Sequence, residues 1–159
     1  MARKADSFPG LSASAVCSLT GVRPHTRETW VQRGLLRSSR KYGELDVIEQ
    51  AVVKALLATL PKSQVDHVWH ELRSCLRRVV PQNAVWVWDP EARVASEATG
   101  GDELHDAVAH GRPVYAVPVG RIAVEARRVN RAEVTAHERA VAARPKPAAG
   151  RTVRDTESR

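Results

Sequence analysis

Thr20-Gly21-Val22 interrupts the stretch LSASAVCSLTGVRPHTRETWVQRGLL, residues 11–36, and leaves a short apolar helical pattern on either side. Helices that short are marginal on their own, because nucleation is costly and few hydrogen bonds follow it. They must pack on each other and on a third element. Gly21 between them is free to take a positive φ and so allows a tight reversal. Ser12 is a natural cap for the first helix, which runs through Ser18 and buries Ala15, Val16 and Leu19. Pro24 suits the first turn of the second helix, which carries Thr26, Trp30 and Val31 before Gly34 ends it.

Beyond this pair, Leu35-Leu36 restarts the chain as a short extended piece, and RSSRKYG (37–43) is polar, basic and turn-like. From Glu44 to Leu60 the apolar positions Val47, Ile48, Ala51, Val52, Ala55 and Leu56 fall at helical spacing. Glu44 and Asp46 lie in that helix's first turn, where the dipole favours them, and Pro61 stops it. Helix, turn, helix, basic hairpin-like loop, helix is the order of a winged helix-turn-helix, whose second helix enters the major groove while the wing grips the backbone. Arg23, His25 and Arg27 are grouped at the start of that second helix. Arginines there add to the helix's own N–H groups in favouring phosphate, and Arg can take a guanine edge with two hydrogen bonds. The plainer alternative is a solvated face of an ordinary helical bundle.

The same residues resemble the DNA-binding domain of the mercury-resistance-regulator (MerR) type, which excisionases and small phage-borne regulators share. The resemblance covers about residues 11–60: the TGV turn, a helix holding Trp30, the Gly34-Leu35-Leu36 stop, a wing with Tyr42, and the Glu-Leu-Asp-Val helix start. It implies DNA contacts from Arg23, His25, Thr26, Arg27, Arg37, Arg40, Lys41 and Tyr42. Thr29 stands where many members carry arginine, and the wing is short. The family's long dimerising coil is missing, since a helical pattern over 63–80 gives way at once to strand signals.

That second unit starts with Ser63 as a cap and continues Val65, Val68, Trp69, Leu72, Cys75, Leu76, Val79. A strand at 84–88, a turn at Asp89-Pro90-Glu91-Ala92 and a strand at 93–98 follow, then a helix from Asp102 through His110 that Gly111 ends. Residues 113–119 read as a strand, which Pro118 confines to an edge or cuts short. Residues 122–129 fit strand or helix, and Asn130 is a candidate cap for a last helix to about Ala143. The expected fold class is α+β: an arm over 1–10, an all-α winged helix-turn-helix over 11–61, a small α+β domain over 62–143, and a disordered basic tail over 144–159.

The formal net charge is +7, distributed as +4 over residues 1–61, −2 over 62–112 and +5 over 113–159. Basic ends favour an anionic partner such as double-stranded DNA. Arg121, Arg127, Arg128 and Arg131 read equally as a second DNA contact or as a solubilising face. Trp86 and Trp88 share one strand face, which is core or interface unless it stacks bases or lines a small-molecule pocket. His67, His70, Glu71 and Cys75 share a helix, but no second ligand cluster with zinc spacing follows, so no metal site or cofactor is expected. No nucleophile–base pair and no glycine-rich phosphate loop is evident, which leaves no enzyme reading. Cys17 and Cys75 lie in apolar helical patterns and read as free thiols. With no apolar run of membrane length and no signal-peptide core, the expected location is cytoplasmic, at the nucleoid. The expectation is a sequence-specific transcriptional regulator, a repressor in the manner of phage immunity proteins. An excisionase that bends DNA and a DNA-tethered protein-interaction module are the alternatives, and self-association through the second unit is open.

Overall fold

The computed structural model describes residues 8–101, 105, 108–111 and 114–145. Ser12 lies in extended backbone and its Oγ accepts from the Ala15 N–H at 3.1 Å, which starts α1 at Ala13–Thr20. Gly21 stops it at φ +66°, and the chain reverses into α2, Pro24–Gln32. Gly34 at φ +75° and the Leu35 N–H, donated to Trp30 O at 2.9 Å, close α2. Leu35 and Leu36 are buried in a bend rather than in an extended strand.

Residues 37–43 are an irregular loop, not a hairpin wing. Their one ladder contact is a bridge between Tyr42 and Leu11, with reciprocal N–H to O bonds of 2.8 and 3.0 Å. Tyr42 is drawn inward to 3% exposure, and its hydroxyl accepts from the Ser39 N–H at 2.8 Å. That closes the seven-residue segment on itself before two strands could pair. The loop leads into α3, Glu44–Thr59, whose first turn is held by Asp46 Oδ2 accepting from the Gly43 N–H at 2.8 Å.

The next helix is shorter than its apolar pattern. α4 spans Lys62–Leu72, directly after Pro61 and with no side-chain cap, so Ser63 does not serve as one. A 3₁₀ helix over Arg73–Arg77 follows. Three residues per turn instead of 3.6 rotates the remaining positions. Leu76 and Val80 therefore reach the core, while Val79 is 86% exposed. Pro81 also turns Val80 away from helical backbone.

β1 (Val85–Asp89) is the centre of a three-stranded antiparallel sheet, between β2 (Val94–Ala98) and β3 (Tyr115–Val117). The β1–β2 turn is set by Asp89 Oδ1, which accepts from the Glu91 and Ala92 N–H groups at 3.0 and 2.9 Å. Trp86 and Trp88 are core residues: Trp88 Nε1 donates to Gln64 Oε1 at 2.6 Å, and Trp86 lies 6.3 Å from Trp69 between ring centroids. Of the helix expected over 102–110, Gly101, His105, Val108 and Ala109 are helical, and 102–104, 106 and 107 lie outside the described residues. β3 lies at a sheet edge and ends before Pro118.

From there a single helix, α5, runs over Val119–Ala142. Neither a strand at 122–129 nor a cap at Asn130 is present; Asn130 is buried in mid-helix. Ala and Arg, both among the strongest helix formers, are frequent in this stretch beside a similarly frequent Val that is not. Gly120 lets α5 start hard against the Pro81-Gln82 backbone, where a Cβ would lie 2.6 Å from Gln82 C. The first half of α5 packs on α3 and α1 through Ala123 and Ala126. Of the expected arm, Phe8 packs edge-on to His137 at 5.3 Å, and residues 1–7 lie outside the described residues, as do 146–159 of the tail. The architecture is α+β. Most of its buried apolar residues form one cluster from Leu11 to Ala126, with members on both sides of the 61/62 boundary.

Candidate nucleic-acid interface

α2 turns Arg27 and Trp30 inward, three residues apart. The opposite stripe is then His25, Glu28, Thr29 and Gln32, all exposed. The Thr29 hydroxyl is partly engaged, donating to His25 O at 3.1 Å. Arg23 occupies the N-cap position in extended backbone, exposed, and no side chain caps the helix. First-turn N–H groups without a cap are left to water or to an incoming anion.

Arg27 does not reach outward. It is 7% exposed, its guanidinium lies 4.5 Å over the Tyr42 ring, and Nη2 donates to Arg37 O at 3.2 Å. Arg27 and Tyr42, both expected at the DNA surface, instead fasten α2 to the loop. Thr26 is half-buried on the same side. Arg37 keeps about half its side chain in solvent, and its Nε and Nη2 donate to Asp46, at 2.6 Å to Oδ1 and 2.7 Å to Oδ2. Burial pushes the Asp46 carboxyl up, yet the Arg37 hydrogen bonds and the Gly43 N–H outweigh it, and the net result lies below the ordinary carboxylate range. Burial pushes the neighbouring Glu49 up, with only partial relief from Arg73 at 3.8 Å.

Arg40 and Lys41 are exposed and make no ion pair among the described residues. Ser38 of the same loop lines a groove of about 360 Å³ with Ser14, Arg27, Glu28 and Gln32, so loop and α2 border one depression. The sequence pattern alone missed Glu28 and Gln32. Counting from Trp30 as the inward residue would have found them, because i−2 and i+2 lie on the far side of a helix.

The second arginine group is divided. Arg127 pairs with Glu44 at 3.2 Å, and Arg128 takes Glu125 through two nitrogens at 2.8 and 2.6 Å. Arg121 and Arg131 are exposed without an ion pair among the described residues. His67 contacts Glu71 at 3.1 Å and the Trp88 ring at 5.1 Å. No cluster of three His, Cys, Asp or Glu side chains suited to a metal occurs among the described residues. None of the described helices is long and apolar enough to cross a membrane. No protein-family model matches the sequence, and no curated protein matches it.

Proposed function

We propose that this chain is a sequence-specific double-stranded DNA-binding protein that represses transcription by occupying its site. The observation that carries this is the uncovered stripe of α2, bordered by Arg23 at its N-cap and by the loop that holds Arg40 and Lys41. Its chemistry suits a base edge: Gln32 can pair with adenine through two hydrogen bonds, and Glu28 can accept from the cytosine amino group. Arg23, Arg40 and Lys41 supply phosphate contacts, which fix position without reading sequence. The net charge of +7 attracts the duplex as a whole.

Selection of bound sites from random DNA, followed by anisotropy titrations over a salt series, tests the proposal. Three phosphate contacts per chain give a log–log salt slope of about −3, and each of Arg23→Ala, Arg40→Ala and Lys41→Ala reduces its magnitude by about one. Gln32→Ala relaxes preference at one base pair at a cost of about 1–3 kcal/mol and leaves the slope alone. If no sequence is enriched, or all four variants bind as the parent does, α2 is not a reading helix. A palindromic site marks a two-fold dimer, an asymmetric one a monomer.

A further inference from the structure

α1, α3 and α5 enclose a cleft of about 360 Å³ whose floor is apolar, built from Leu19, Val47, Ile122 and Val129. A space of that size suits a small molecule. Its rim holds Lys54, Arg121 and Glu125. Glu125 is already paired with Arg128, whose two hydrogen bonds draw its carboxyl below the usual range. Lys54 donates once, to Thr20 O at 2.9 Å, and an ammonium has three donors. Arg121 is exposed and makes no hydrogen bond or ion pair among the described residues. The unused charge at the rim is therefore entirely positive.

The walls are formed in advance. Thr20 donates its hydroxyl proton to Val16 O at 2.9 Å and accepts from Nε2 of the fully buried Gln50 at 2.8 Å. Val47 and Ala126 are buried, so little has to move for a ligand to enter.

We propose that this cleft binds a small amphiphilic carboxylate. Its ring or short chain lies on the apolar floor, and its carboxylate meets Lys54 and Arg121. An amine of the same shape is repelled by that pair, and an alcohol gains the apolar part alone. The proposal does not rest on the DNA-binding reading, and its test uses no DNA.

The full chain is titrated calorimetrically with 1-naphthaleneacetate, with 2-(1-naphthyl)ethanol and with 1-naphthylmethylamine. The acetate binds about tenfold tighter than the alcohol, and the amine binds weakest. Lys54→Met and Arg121→Met keep an apolar stem but remove the charge; each weakens the acetate about five- to tenfold and leaves the alcohol unchanged. Ile122→Trp fills the cleft and removes acetate binding, with folding checked by circular dichroism. The proposal is overturned if the acetate does not bind, if acetate and alcohol bind alike, or if both methionine variants bind the acetate as the parent does. If Ile122→Trp fails to fold, the two methionine variants still decide the matter.

Discussion

Asp46→Asn tests how the basic loop is held. The Asp46 carboxylate accepts three hydrogen bonds, from Arg37 Nε at 2.6 Å, Arg37 Nη2 at 2.7 Å and Gly43 N at 2.8 Å. A charged acceptor in a buried setting contributes about 1.5–3 kcal/mol per bond. Arg37 is 53% exposed, so solvent screening reduces its share to about 1 kcal/mol. Asparagine keeps one acceptor oxygen but turns an amide donor towards a guanidinium. The expected loss is about 2 kcal/mol at pH 7, or about 4–8 °C in Tm for a chain of this length. The folded carboxyl titrates below its ordinary value, so its contribution is complete above the unfolded pKa and is lost as pH falls through the folded one. Glu49 is raised mainly by its own burial, which both proteins share; the smaller part that the Asp46 charge adds is lost in Asp46→Asn and trims the gap slightly. The assay is urea unfolding followed by tryptophan fluorescence at steps from pH 7 downward. The gap between wild type and Asp46→Asn stays constant to about pH 5 and then closes. Arg37→Ala added to Asp46→Asn costs little more, since the two side chains act as a pair. A gap below about 0.5 kcal/mol at pH 7, or one that persists unchanged in acid, would refute this account of the loop.

Two further outcomes follow from packing. Gly120→Ala destabilises by about 3 kcal/mol, because the new methyl meets the Pro81-Gln82 backbone, whereas Gly100→Ala, with open space around it, stays within about 0.5 kcal/mol of wild type in thermal melts. A fragment ending at Pro61 gives no cooperative melt, because removing α5 uncovers Val47 and the rest of the α3 face; a sharp transition in calorimetry would contradict this.

The local grammar of the N-terminal half was readable: Ser12, Gly21, Pro24 and Gly34 each act on backbone within a few residues, and all four sit where their chemistry requires. Which way a side chain points on a short helix was harder to read. Arg27 looked like a surface residue because arginine usually is one; its place inside depends on a Tyr42 ring fifteen residues away. The same applies to α5, where residues 122–129 alone fit strand or helix. Local propensity leans towards helix there, and the cover provided by α3 and α1, far back in the chain, fixes it and continues it through Asn130. Val79 failed for a third reason: apolar periodicity assumes an unchanged pitch, and the 3₁₀ helix over Arg73–Arg77 changed it. Among the candidate contacts, Arg23, His25, Arg40 and Lys41 were visible from charge and turn chemistry, whereas Glu28 and Gln32 follow only once Trp30 is known to face inward.

The continuous cluster that joins α1 and α3 to the sheet has a consequence for how such a chain can evolve. A reading head with its own core can be transplanted onto new partners and diversify alone. Here α1 carries α2 and packs on α3, which also seats α5, so the helix pair and the sheet are inherited together. The exposed stripe of α2 is the part left free to vary.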